Sequence, residues 1–333
     1  MRLGFAVKVL GAGGLASHDA RRHQSEPSLG VSLDAIDAIL TYCDDADIRM
    51  YRMATQLAPY ASHPDLTRFR DQPQRFADRL AEVGARARSL GIRLSTHPGQ
   101  YTVLNSEDAR IQRLAVEELE VQAELFDGMG LGPESVIILH VGGAAGGLEA
   151  AADRFVAGFE LLSESARGRI VVENDDRTFA LGDVLGLSQR IGRPVVWDIL
   201  HHHCNDPERI PDREALQLAL GTWPERVLPK IHYSTPKTAV EEKAKKVGRR
   251  VERSLVLPQL RAHADVIDPI AFEHFVTETA AGLDFDVLLE AKAKDLALLR
   301  LRDQLAARGV TPEDHLREER ERAEAEAAAS QAA

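Results

Sequence analysis

The sequence predicts a single α/β domain, a (β/α)8 TIM barrel over residues 1–308, followed by a charged tail over 309–333. Three observations predict it. Eight short β-branched runs alternate with longer amphipathic segments, a rhythm that calls for parallel strands joined by helical crossovers. Eight is the number at which such a sheet closes on itself. The GAGG at 11–14 lacks the G-x-G-x-x-G spacing, which disfavours an open, doubly wound dinucleotide-binding sheet.

The first strand falls at 2–7, within MRLGFAVKVLGAGG; its apolar run is too short for a signal peptide and reads as a barrel strand. The other strands are predicted at 48–53, 92–96, 135–140, 170–173, 195–197, 229–232 and 285–290. Helical periodicity covers 33–46, 72–90, 108–129, 148–165, 183–191 and 213–220. Residues 235–262 form a connection after the seventh strand longer than a usual βα loop. The tail is Ala-rich and charged with no apolar stripe, as expected of a solvated helix or a disordered segment.

Composition bounds the rest. With 333 residues, 44% apolar and 28% charged, the chain can bury a large core. No run of 18 apolar residues exists, so no transmembrane helix is expected. Cys43 and Cys204 are the only cysteines, which fits a reducing cytoplasm and no disulfide framework. A net charge of −11 argues at first sight against nucleic acid, but the charge is uneven. Residues 311–333 hold seven acids and three arginines, whereas 237–253 hold seven basic and three acidic residues. An acidic barrel can present such a basic loop to phosphates.

The metal-capable residues cluster at the strand ends, where a barrel builds its active site. His97 ends the third strand (STHPGQY), His140 the fourth (IILHVGG) and Glu173 the fifth (VVENDDR). Asp198 ends the sixth, with His201 three residues on (VVWDILHHH). His232 (PKIHYS) and Glu290 (LLEAKAKD) end the seventh and eighth, and His263 (RAHAD) closes the long connection. Alone, each has a plainer reading: a hydrogen-bonded histidine, or a carboxylate capping the next helix. Together they exceed what one tetrahedral ion needs, and imidazole with carboxylate suits Zn, Mn or Fe. Two or three divalent cations held this way would serve hydrolysis of a phosphodiester. Cys204 reads as a structural thiol, and His202 and His203 as supporting residues.

With these residues in view, the chain resembles the UV damage endonuclease family, relatives of endonuclease IV among the xylose isomerase-like barrels. The resemblance runs from residue 2 to about 302 through RLGF, YRMATQLAPYASHP, STHPGQY, LHVGG, VENDDR, DILHH, PKIHYS, RAHAD and LLEAKAKD, in order. It implies a metal-dependent DNA repair endonuclease that nicks damaged duplex DNA 5′ to a lesion, at UV photoproducts and other distortions. His97, His140, Glu173, Asp198, His201, His232, His263 and Glu290 would hold two or three ions, most often Mn2+. Glu173 and Lys230 would be catalytic, Lys230 in a carboxylated form. Gln100 and Tyr101 match the pair that probes the distorted duplex, and Arg52 would face a phosphate or pair with a barrel carboxylate. The implied partner is damaged double-stranded DNA, with no membrane and no protein partner, in the cytoplasm at the nucleoid. The chain departs from the family at Phe5 and Val9, where a tyrosine and an asparagine near the DNA are usual, and its basic loop before His263 is longer than in compact members. The competing reading is a divalent-metal sugar isomerase or epimerase on the same architecture. A third is a non-catalytic damage-binding protein with structural metals.

Overall fold

The computed structural model describes residues 1–248 and 250–311. Most of the predicted tail, from residue 312 on, and Arg249 of the basic run lie outside the described residues. Each of the eight predicted runs carries a parallel strand: β1 (Leu3–Ala6), β2 (Met50–Arg52), β3 (Arg93–Ser95), β4 (Ile137–His140), β5 (Ile170–Glu173), β6 (Val195–Val196), β7 (Lys230–Tyr233) and, last in the chain, β10 (Asp286–Leu289). They lie in two sheets, ordered β3-β2-β1-β10-β7 and β4-β5-β6. Single parallel bridges span both seams, Thr96 to Ile137 and Asp198 to His232. The Ile138 N–H donates to Thr96 O at 3.0 Å across one seam, and the His232 N–H to Trp197 O at 3.0 Å across the other.

Helices pack outside the strands: α1 (Leu29–Asp45), α2 (Gln72–Arg75), α3 (Ala77–Ser89), α4 (Ala109–Gly128), α5 (Leu148–Glu160), α6 (Glu164–Arg169), α7 (Leu181–Ile191), α8 (Ile199–Cys204), α9 (Asp212–Leu220), α10 (Pro269–His274) and α11 (Lys294–Ala306). Their apolar faces meet the strands in one continuous core that includes Phe126, Phe155, Phe272 and Phe285, each fully buried. Burying one such ring stabilises the fold by about 1.5–3 kcal/mol. Inside the strands space is scarce: a Cβ on Gly4 would come within 2.7–2.9 Å of Met50 atoms, so β1 and β2 approach only because that side chain is missing.

Three expectations change. The helix predicted at 148–165 breaks after Glu160, because Ser163 starts α6 by accepting the Ala166 N–H at 3.1 Å. The helix predicted at 72–90 likewise breaks at Phe76 between α2 and α3. The long connection is an antiparallel hairpin of β8 (Glu241–Val247) and β9 (Arg250–Val256), turning through Gly248 at φ 60°.

At the N-terminal ends of the strands a buried ion pair fills the interior. Arg93 Nη1 lies 2.9 Å from Asp286 Oδ2, both side chains fully buried. The backbone N–H of Arg2 donates to Asp286 Oδ1 at 2.8 Å, so both carboxylate oxygens are satisfied.

Candidate metal centre

The opposite ends of the strands carry the predicted ligands. Parallel register does the first part of the work by setting His140 on β4 beside Glu173 on β5. Glu173 is fully buried and stands at the middle of four imidazoles. His232 Nδ1 donates to its Oε1 at 2.7 Å, and His201 Nδ1 lies 3.7 Å from that oxygen. His97 Nε2 lies 2.8 Å and His140 Nε2 3.5 Å from Oε2. Three sets, His97/His232/Glu290, His97/His140/Glu173 and Glu173/Asp198/His201, each offer three ligand atoms within 4.8 Å of one another. They share His97 and Glu173, so the sets form one continuous cluster. His263 stands at its edge, Nδ1 3.6 Å from Glu290 Oε2, and belongs to none of the three.

Whether the cluster suits metal ions is decided by its unpaired atoms. Glu173 Oε2, Asp198 Oδ2, His140 Nδ1 and His232 Nε2 are buried without a hydrogen-bond partner. Four such atoms in one place would each cost about 1–3 kcal/mol if nothing used them. Divalent cations would use Glu173 Oε2 and Asp198 Oδ2, both carried by residues of the ligand sets, and the donor chemistry fits.

The supporting bonds orient the donors. Asp198 Oδ1 accepts the His201 N–H at 2.8 Å, capping α8, while Oδ2 is left over. The plain capping role therefore leaves the second oxygen available for the ligand role expected from the sequence. Buried Asn174, which sequence reasoning passed over, donates from Nδ2 to Asp198 O at 3.0 Å and accepts the Asp198 N–H at 2.9 Å. Its own carbonyl lies 3.0 Å from His201 Nδ1. Its place directly after Glu173 in VVENDDR was the available signal. His202 meets the Ile210 carbonyl and His203 meets Asp212, both at 2.9 Å, so neither faces the cluster.

Electrostatics follows from crowding acids and imidazoles without water. Burial raises the Glu173 pKa, but His232, His140 and His97 outweigh it and hold the carboxyl well below its usual range. Burial prevails at Asp198 and pushes it up. At His201 burial opposes the charge, and Asp198, Glu173 and Glu290 overcome it, giving about 9. Lys230 runs inside the strands and donates from Nζ to Ser95 Oγ at 2.9 Å. Burial, then Arg93 and Arg52, push its pKa well below the usual lysine value.

The remaining predicted residues fall around this centre. Arg52 pairs with Glu290 rather than standing open. Gln100 lines a cleft of about 500 Å³ with Arg52, His97, His140, Asp176 and Arg177. Tyr101 is 84% exposed and borders the next groove with Thr55 and Gln56. Phe5 is fully buried against Tyr51, their ring centroids 5.3 Å apart, and Val9 is also core. Neither of these departures presents a side chain at the surface.

A profile of the UV-endonuclease UvdE family matches residues 17–315. The chain belongs to that family. Membership makes it an endonuclease. A UV DNA damage endonuclease of Bacillus mycoides (strain KBAB4) is 32% identical over 279 residues, 82% of this chain and 80% of the relative. One from Bacillus velezensis is 33% identical over 270 residues, 79% and 77% of the two chains. Among solved structures, SacUVDE superposes with a TM-score of 0.77 at 28% identity, covering 93% of this chain and 99% of that one. A D-tagatose 3-epimerase-like protein gives a TM-score of 0.53 at 13% identity over 96% and 99%, a likeness of fold alone. UvdE-family membership and these superpositions make the architecture TIM-barrel-like.

Proposed function

We infer that this chain is a metal-dependent DNA repair endonuclease that nicks damaged duplex DNA on the 5′ side of a lesion. The observation that carries the reading is Glu173, a buried carboxylate with one unpaired oxygen, ringed by four histidines of a TIM-barrel-like fold. The relatives' names, UV DNA damage endonuclease, supply the substrate. The catalytic unit is read as a closed (β/α)8 barrel over residues 1–308 with 309–333 as an appendage.

His97, His140, Glu173, Asp198, His201, His232, His263 and Glu290 would hold two or three divalent cations, Mn2+ in this reading. Bound there, the ions supply Lewis acidity toward a phosphodiester and ionise water near neutral pH. Glu173, held anionic, contributes charge to several ligand sets at once. Arg52 holds Glu290 in place and lines the cleft a phosphate would enter. Burial, with Arg93 and Arg52, favours the neutral form of Lys230, the form that carboxylation requires. Gln100 and Tyr101, on the rim, fill the space between separated bases. The reading places the protein in the cytoplasm, at the nucleoid.

The test is nicking of a UV-irradiated, end-labelled duplex with and without Mn2+, with EDTA and undamaged DNA as controls. Mn2+-dependent incision 5′ to photoproducts is expected. No incision by protein carrying stoichiometric metal would overturn the substrate, and turnover of a ketose instead would favour the epimerase chemistry.

A further inference from the structure

The β8–β9 ribbon contributes nothing to the core described above. Residues 242–246 and 250–255 are all exposed, yet the ribbon is rooted at the metal centre. Lys237 N–H donates to Ala262 O at 2.6 Å and Ala264 N–H to Thr235 O at 2.8 Å. Pro236 bridges to His263 between these bonds, so the ribbon rises from the rim of the ligand cluster.

The cross-strand register sorts its side chains. Because paired residues share a face and neighbours alternate, Lys243, Lys245 and Arg250 project on one side with Ser254 and the acids Glu241 and Glu252. Ala244, Val251 and Leu255 lie on the other with Lys246 and the Glu242–Arg253 ion pair of 3.1 Å. Among the described residues no carboxylate lies within 4.0 Å of Lys243, Lys245 or Arg250. With Glu241 paired to Lys237, three cations against Glu252 leave that side net positive beside the site of an otherwise acidic chain, which calls for a polyanion. Seven residues per strand reach roughly 23 Å at about 3.3 Å per residue, which is about seven base pairs of duplex at roughly 3.4 Å each.

We propose that the ribbon is an arm that lays its Lys243–Lys245–Arg250 side along the phosphates of the duplex flanking the incision site. It lengthens the footprint without touching the reacting bond. This rests on the endonuclease reading above, and the experiment separates the two.

The full-length protein, loaded with Mn2+, is titrated against UV-damaged duplexes whose flank on either side of the lesion is lengthened in steps through about ten base pairs. Incision of the shortest duplex by the wild-type protein tests the underlying reading by itself. The arm predicts that Kd improves about tenfold as one flank grows past the ribbon's reach. Lys243→Gln/Lys245→Gln/Arg250→Gln, changes confined to exposed positions, should erase that gain. The slope of log Kd against log salt should also fall by about 0.9 for each cation removed. A wild-type Kd indifferent to flank length, or a gain that survives in the triple variant, overturns the arm. So does a variant that binds DNA like wild type but loses a dimer in sedimentation, which would make the ribbon a contact between copies of this chain.

Discussion

The two ends of the strands hold the same ingredients and put them to opposite uses. At the N-terminal end Asp286 is buried with both oxygens accepting, one from Arg93 and one from Arg2. At the C-terminal end Glu173 is just as buried, yet Oε2 makes no hydrogen bond although His97 Nε2 lies 2.8 Å away. A buried acid that is fully paired locks the fold. A buried acid with an unpaired oxygen among imidazoles is suited to serve a cation. Lys230 joins the two ends: it pairs in register with Asp286 and reaches Ser95 at the end of β3.

The sharpest test of this contrast is to neutralise the C-terminal acid. Glu173→Gln keeps the shape and should cost on the order of a thousandfold in nicking rate, about 4 kcal/mol of barrier. Its urea midpoint should hold near wild type, and wild-type nicking would remove Glu173 from the cluster. The mirror experiment is Asp286→Ala, which leaves Arg93 buried without its partner. Denaturant unfolding should show a loss of about 3–5 kcal/mol, with the nicking rate per folded molecule changed far less. Equal losses of rate in both variants would erase the distinction between the ends.

Removing metal should act on one end alone. Stripping the protein with EDTA should abolish nicking and lower the melting temperature, both restored by Mn2+. At an ion concentration of about a hundred times Kd the restored stability is about 2.7 kcal/mol. In Glu173→Gln that thermal response should shrink, whereas in Asp286→Ala it should persist. Tyr101→Ala, on the rim, should have the smallest effect. Loss of a base-stacking ring is worth about 1–3 kcal/mol and should fall on the preference for damaged over intact duplex, leaving Mn2+ affinity as it was. Unchanged preference in competition binding would remove Tyr101 from lesion sensing.

How much of this was legible in the sequence follows the same division. Strand positions were readable because β-branched runs end abruptly in a charged or imidazole residue, as at His140 and Glu173. That abruptness also pointed to six of the seven residues that the fold gathers into candidate triads, and the seventh, His201, follows Asp198 by three positions. His263 shows no such apolar run, and reaches the edge of the cluster through the ribbon's root. The Arg93–Asp286 pair was invisible, since no local pattern relates residues 193 positions apart. The ribbon was read as a loop because Lys and Glu, poor strand formers, fill β8. Its pairing is set by the turn at Gly248 and by β9. Asn174 was missed because its amide acts on the main chain of the next strand, which sequence spacing does not encode.

Asp198 carries one consequence beyond its place in the cluster. Its Oδ1 accepts the His201 N–H at the start of α8, so Oδ2 is the oxygen left without a hydrogen bond. Were a cation bound here, a large one such as Ca2+, which favours six to eight oxygens and chelating carboxylates, would compete with the cap of α8 for Oδ1. A smaller ion with mixed nitrogen and oxygen donors would leave that cap intact, so the start of the helix would favour it.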